Sequence, residues 1–447
     1  MATLNVDHRT FLASVLYAAT LMLAAPALAQ QSAPKPQTLF TNVNVFDGVN
    51  EKRIMSASVL VEGSLIKAVS TTKINAPGAT VVDGGGRTLM PGLIDVHWHV
   101  MFSEPTMPEL LNSDVTWLTL LGARGARDTL LRGFTTVRDV GGSPFAIKKA
   151  IDEGMLEGPR IYPSGPNISQ TSGHSDGRHP ADPGTPVYLE KVGQLRIANG
   201  VPDVLLAVRE NLRMGASQIK ISIGGGVSSP YDPLDVGSYT FEEVKAAVDA
   251  AKSWNTYVAV HANTDDAIRM GIEAGVRTIE HGFLLSEDTL KLMASKGVWL
   301  SIQPLLNDED AFPFTGENQR KWIEATDGTD KVYKLAKKHN VKIAFGTDLL
   351  FDPTLGPKHG KFLAKLKHWF SPYEALKMAT STNAELLTLC GPRNPYRAGE
   401  LGVVKEGAYA DLILVNGNPL ENLDLVADPD KNFAVIMKDG KIYKNAL

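Results

Sequence analysis

Six residues of this 447-residue chain have the types and the placement to do chemistry together: His97, His99, Lys220, His261, His281 and Asp348. His97 and His99 follow the apolar run Leu93-Ile94-Asp95-Val96, which reads as a buried strand. In an extended backbone, residues i and i+2 point to one face, so the two imidazoles project together and offer two nitrogens to one metal ion. Alone, a His-x-His pair carries little. Here Lys220 lies within Gln218-Ile219-Lys220-Ile221-Ser222-Ile223, and His261 ends Tyr257-Val258-Ala259-Val260-His261. His281 ends Thr278-Ile279-Glu280-His281, and Asp348 follows Ile343-Ala344-Phe345-Gly346-Thr347. Imidazole and carboxylate ligands suit zinc, with manganese or cobalt as substitutes.

The elements that must position these residues alternate. β-rich runs near 93–96, 135–138, 160–163, 218–223, 257–261, 278–281, 298–302 and 342–346 are separated by helical patterns such as 241–254, 265–274, 287–296 and 330–339. That spacing predicts βαβ units and a parallel sheet, hence an α/β fold. Eight strands close most economically into a (β/α)8 TIM barrel, whose active site lies at the C-terminal strand ends. All six residues fall there, on five different strands. Arg138-Asp139 ends another strand and reads as a structural ion pair. The loop 170–179, with His174 at its centre, follows the strand near Ile161 and belongs to the same mouth. Gly224-Gly225-Gly226 lacks the Gly-Lys-Ser/Thr ending of a phosphate loop and reads as a flexible βα loop, with Tyr231 beyond it as a carboxylate-binding hydroxyl. Residues 351–367 offer little pattern.

Short strands are predicted at both ends of the chain, over 40–46, 58–62, 65–70 and 80–82, and over 402–404, 411–415 and 435–438, with Asp439-Gly440 as a hairpin turn into 441–443. Neither end has enough strands for a stable core. Together they complete a small β-sandwich, so the expected domains are a composite sandwich of 30–90 and 391–447 and a catalytic barrel of 91–390. Residues 1–29 differ in kind: Arg9, an apolar run over 11–25 and Ala27-Leu28-Ala29 before Gln30 form a secretory signal peptide, cleaved after Ala29. The run falls short of the roughly 20 residues a membrane span needs. An exported protein is expected, periplasmic or secreted, with no membrane span after processing. Its net charge of −4 supplies no basic field for nucleic acid. The single cysteine, Cys390, reads as a buried small hydrophobe and cannot form an intrachain disulfide, so stability must come from the core and from metal.

His97-Trp98-His99, Ile219-Lys220-Ile221, His261-Ala262-Asn263, Glu280-His281-Gly282 and Gly346-Thr347-Asp348 resemble the metal-site motifs of the amidohydrolase superfamily. Ala408-Tyr409-Ala410-Asp411-Leu412 resembles its C-terminal strand signature, so the likeness covers nearly all of the mature chain. More narrowly, the chain resembles the imidazolonepropionase-like and prolidase-like branch, which includes Xaa-Pro dipeptidases and ochratoxin-type amidases.

The resemblance implies two divalent metal ions, zinc by ligand type. His97, His99 and Asp348 would hold one, His261 and His281 the other, and Lys220, carboxylated to N6-carboxylysine, would bridge them. A protonated lysine cannot ligate, but desolvation and two nearby dications favour the neutral amine, which can take up carbon dioxide. Paired ions can share a hydroxide and polarise a scissile carbonyl, with Asp348 carrying the proton to the leaving nitrogen. By the same resemblance His174 would polarise the carbonyl or hold a substrate carboxylate. The implied activity is cleavage of the amide to a C-terminal amino acid in a small-molecule or dipeptide-like substrate. A dipeptidase, a carboxypeptidase and an N-acyl amino acid amidase all fit. Hydrolysis of a cyclic amide or lactone on the same centre is the alternative. A non-catalytic exported metal-binding protein is a third reading, which gives Lys220 and Asp348 nothing to do. Relatives of this kind assemble into rings, which implies a homo-oligomer, although no stretch specifies an interface.

Overall fold

All eight expected barrel strands are present in the computed structural model, which describes residues 35–447 apart from 180, 182, 183, 185 and 230. They are β1 (Leu93–Trp98), β2 (Phe134–Asp139), β3 (Arg160–Pro163), β4 (Ile219–Ser222), β5 (Val258–Ala262), β6 (Thr278–His281), β7 (Trp299–Ile302) and β8 (Lys342–Phe345). Most are buried along their whole length, which is why they read as continuous apolar runs. β1 to β3 form one parallel ladder and β4 to β8 another.

Side chains help to close the seams between the two ladders. At the β8–β1 seam, Asn383 donates through Nδ2 to the carbonyls of Ile94 (2.7 Å) and Phe345 (2.8 Å), and its Oδ1 accepts from the Phe345 N–H at 3.0 Å. At the β3–β4 seam, Ser217 donates its N–H to the Pro163 carbonyl, and the Gln218 amide donates to the carbonyls of Tyr162 and Asp139. The surrounding helices follow the expected pattern. Asp265–Ala274 and Glu287–Lys296 keep their predicted bounds, and each stops at a left-handed glycine. Phe241–Ser253 opens on a capping box between Thr240 and Glu243. Gly316–Lys338 begins well before the predicted 330–339 helix, because its first turns are polar and show no apolar stripe.

Both chain ends build one eight-stranded sheet. Five strands come from the N-terminal side, between Gln37–Val45 and Thr88–Pro91, and three from the C-terminal side: Leu412–Val415, Phe433–Lys438 and Lys441–Asn445. Thr88–Pro91, which sequence periodicity missed, is central: it pairs with Gln37–Val45 on one side and Leu412–Val415 on the other. The sheet bends until Leu65 bridges to Tyr409, so its layers are parts of one sheet around a core that includes Phe40, Val59, Leu412 and Val435. Residues 402–404, expected as a strand, form none. Gly402 has a left-handed φ of 70°, and a Cβ there would lie 2.6 Å from the Thr380 backbone, so the chain turns where a strand was predicted. Arg160 at the start of β3 joins barrel to sheet through ion pairs with Asp411 and Asp439 and by stacking over Tyr409. Cys390 is buried, as expected. The expected signal peptide lies outside the described residues, among which no helix is long and apolar enough to cross a membrane.

The β8–β1 seam is testable. Asn383→Leu strands the Phe345 N–H and two carbonyls in a buried place, so unfolding should become easier by roughly 2–4 kcal/mol. Urea titration should show a lower midpoint with an unchanged slope; a midpoint equal to the parent's would show that Asn383 does not hold the seam.

Candidate active site

The strand ends deliver His97, His99, Lys220, His261, His281 and Asp348 to the lining of one cavity. Among them, His97, His281 and Asp348 can bring ligand atoms within 4.8 Å of one another, so the ligand sets expected for two ions abut. Strand alternation alone does not explain this. Glu280 faces the barrel interior, where Thr278 donates to its Oε1 at 2.7 Å, and the next residue should point away. His281 instead adopts a φ of 76°, which turns its imidazole to the mouth. Asp348 also has a left-handed φ, 55°, and its N–H donates to the His97 carbonyl at 2.9 Å. Such backbone costs on the order of 1 kcal/mol or more per residue and persists where the surroundings over-determine it. Gly346 permits the close approach: a Cβ there would stand 2.4 Å from that of His97.

Each of the four histidines has one ring nitrogen occupied by an acceptor. His97 Nδ1 faces Glu280 Oε2 (2.9 Å), His99 Nδ1 the Gly141 carbonyl (3.2 Å), His261 Nε2 the Gly225 carbonyl (3.0 Å) and His281 Nδ1 Gln303 Oε1 (2.8 Å). An acceptor takes the proton-bearing nitrogen and assigns the tautomer, leaving the other nitrogen's lone pair free. Burial pushes the His97, His261 and His281 imidazoles below the usual histidine range, the last two well below, which keeps them neutral. Burial works against ionisation of Glu280 as well, but the Arg138 guanidinium, 2.8 Å from both of its oxygens, holds it far down. Arg138 is therefore paired with Glu280 across the barrel, not with Asp139 as its neighbour in sequence. Alternation sends Arg138 inward. Asp139 ends the strand, accepts from the Val100 N–H at 2.7 Å, and is raised by burial to about 7.

These residues fit divalent cations. Asp348 Oδ1 lies 3.1 Å from His99 Nε2 and 3.4 Å from His97 Nε2, yet it is buried and has no hydrogen-bond partner. Although burial opposes it, the neighbouring His97 and His99 imidazoles keep the Asp348 carboxyl well below its usual range. With their Nδ1 atoms facing Glu280 and the Gly141 carbonyl, His97 and His99 turn Nε2 to Asp348 Oδ1. Burial brings the Lys220 ammonium down to about 8, against the pull of Glu280 and Asp348, which makes the neutral amine accessible.

The cavity has two lobes, of about 390 and 480 Å³, that share His174, His261, His281 and Asp348. His174 stacks on His261 with ring centroids 3.9 Å apart, and its Nδ1 lies 2.8 Å from Ser229 Oγ and 3.2 Å from Asp232 Oδ2. Burial acts to raise Asp232, but the His174 hydrogen bond outweighs it and the carboxyl lies below its usual range. Tyr231 departs from expectation: it is 43% exposed and absent from the described lining of either lobe. Its neighbour Asp232 turns inward in its place. Nor do the glycines at 224–226 make a flexible loop. Asp232 Oδ2 accepts from the Gly226 N–H at 2.8 Å, and buried Lys321 donates to the carbonyls of Gly226, Ser229 and Asp232. Gly226 is needed because a Cβ there would collide with the His174 ring at 2.1 Å. Leu350 and, from the patternless stretch, Phe351 line both lobes. Glu280, Gln303 and Asp232 are the functional partners that sequence reading did not single out, and only Glu280 lay inside a motif.

The profile of the amidohydrolase family matches residues 88–444. The chain is 33% identical over 374 residues to the ochratoxinase of Aspergillus niger, covering 80% of this chain and 75% of that protein. A crystal structure of a prolidase complexed with N-methylphosphonate-L-proline superposes with a TM-score of 0.85 at 33% identity, over 92% of this chain and all of that one. A Xaa-Pro dipeptidase with methionine bound in its active site gives a TM-score of 0.80 at 29% identity, again over 92% of this chain and all of that one.

The Glu280 contact carries a prediction. Glu280→Gln removes the charge that orients His97 and should weaken zinc binding roughly 10- to 100-fold in chelator competition. Affinity equal to the parent's would mean that Glu280 serves only the barrel interior.

Proposed function

This chain belongs to the amidohydrolase family and is a hydrolase of amide or peptide bonds, and from that premise we propose an exported binuclear-metal amidase that releases a C-terminal amino acid from its acyl partner. The observation that carries the reading is the convergence of four histidines, each with one nitrogen already committed to an acceptor, on Lys220 and Asp348. In this reading His97, His99 and Asp348 would hold one zinc ion and His261 and His281 the second, with Lys220, once carboxylated, as a further ligand. When bound, two such ions polarise a carbonyl and make water acidic enough to attack at neutral pH.

The chain's own residues do the rest. Asp348 stays ionised beside two imidazoles and, with Oδ1 turned to His97 and His99, takes the proton of the attacking water at Oδ2 and delivers it to the departing nitrogen. His174, with Nδ1 fixed by Ser229 and Asp232, turns Nε2 to the substrate and donates to its carbonyl or its carboxylate. Export rests on the leader sequence of residues 1–29. Cleavage next to a C-terminal amino acid is supported by what the similar proteins are called: an ochratoxinase, a prolidase and a Xaa-Pro dipeptidase.

Exhaustive chelation of the mature protein should abolish turnover of N-acyl amino acids, and zinc should restore it; hydrolysis that survives chelation would sink the metal mechanism. Asp348→Asn should lower kcat by roughly 10²- to 10⁴-fold, the usual span of a lost general acid/base. An unchanged kcat would exclude Asp348 as the proton carrier.

A further inference from the structure

Lys321, near the start of the helix Gly316–Lys338, is only 1% exposed. Its Nζ donates to three carbonyls, those of Gly226 (2.7 Å), Ser229 (2.6 Å) and Asp232 (3.1 Å). Three donated bonds use every hydrogen of an ammonium; a neutral amine has only two, and no other side chain offers three donors from one atom. Carbonyls three residues apart thus converge on one point, and the chain that carries them is wound about the charge. Asn318, three residues earlier on the helix, adds a bond to the Val227 carbonyl at 2.7 Å. Burying a charge is costly even when its hydrogen bonds are complete.

The same three residues meet His174 on their other side. Ser229 Oγ and Asp232 Oδ2 face its Nδ1, and a Cβ on Gly226 would strike its ring. An ionised carboxylate can only accept, so it takes the Nδ1 proton, while Ser229 Oγ gives its own hydrogen to the Gly226 carbonyl at 3.3 Å. Asp232 Oδ2 also accepts from the Gly226 N–H, which ties the two ends of the turn together. Among the described residues, both hydrogen-bond partners of His174 therefore have their carbonyls on Lys321.

We propose that Lys321 is a positioning residue for amide hydrolysis: by gathering these three carbonyls it sets the direction of His174 Nε2 in the cavity, without touching substrate itself. The inference rests on the amidase reading for the task of His174, and on the geometry for the rest. Without the ammonium, three carbonyl oxygens point at one another in a place that water hardly reaches, and the turn must open to satisfy them. Ser229 and Asp232 would then draw away from Nδ1. A displacement of about 1 Å at a group that faces the reacting carbonyl costs on the order of 10² in rate.

The full metal-loaded chain is compared with Lys321→Met, His174→Gln and the double variant, by kinetics on an N-acyl amino acid and by the downfield imidazole N–H proton signals in NMR. Lys321→Met should keep the parent's metal content and lose roughly 10²-fold in kcat/KM, through kcat more than KM. Made in the His174→Gln background, the same change should cost less than about twofold more, because residues that act as a unit do not add. A general fault in folding would instead lower both backgrounds equally. In NMR, the signal that His174→Gln removes identifies the Nδ1 proton, and Lys321→Met should shift or erase it while the signals of His97 and His281 stay. Lys321→Gln, with two donors on a shorter arm, should give the same pattern at smaller amplitude, and it stands in if Lys321→Met does not fold. Equal losses in the two backgrounds, or a His174 signal unmoved by the Lys321 substitution, overturn the proposal. Absence of amide turnover in the parent would refute the amidase reading instead, and the NMR comparison would still decide whether Lys321 holds His174.

Discussion

Arg138 and Glu280 face each other in the barrel interior with neither side chain exposed, and the site above depends on that pair. An isolated charge there would be prohibitively expensive, and even a paired one is seldom more stable than apolar side chains of the same volume. Stability therefore does not account for the pair, whereas orientation does. With Arg138 occupying both oxygens, Glu280 stays ionised and accepts the Nδ1 proton of His97, which fixes the tautomer at the mouth from inside the core. Arg138 also donates to the Val96 carbonyl and the Tyr257 hydroxyl, so one guanidinium draws β1, β2, β5 and β6 together.

A second buried hub fixes the β1 and β8 ends. Asp95 accepts from the His97 N–H (2.7 Å), the Thr347 hydroxyl (2.6 Å) and His359 Nε2 (2.8 Å), and His359 is stacked on Trp98 and Phe134. Residues that would hold metal thus hang from strands tied to one another below the mouth. The walls of the two lobes come largely from segments outside those strands, around 102–111, 187–195, 305–322 and 350–352. Chemistry placed on strand ends and walls built from loops is a division that lets one barrel architecture serve many substrates.

How much was legible in the sequence follows from the same division. His97, His99, Lys220, His261, His281 and Asp348 were readable because each ends or lies in an apolar run, and a parallel barrel gathers strand ends at one mouth. Arg138 and Glu280 were not readable as partners, since they stand 142 residues apart and only closure of the barrel brings them together. Tyr231 looked suitable by its hydroxyl, but the turn that puts Asp232 under His174 sends its neighbour outward, and nothing in the spacing announces that turn. Thr88–Pro91 escaped because it ends in a proline and gains its character only from partners at the far end of the chain. The glycines at 224–226 were misjudged for a related reason: their lack of side chains accommodates His174 instead of loosening the loop.

The central place of Thr88–Pro91 in the two-ended sheet bears on how the molecule is made. A ribosome releases its N-terminal partner strand before the barrel residues and Leu412–Val415 only after them. Through most of synthesis, the edge of the early strands that will receive 412–415 is bare while the barrel residues are still emerging. Bare edges recruit foreign strands, and slow non-local pairing prolongs the interval. The order of translation and the order of completion are opposed: strands that leave the ribosome first are finished among the last.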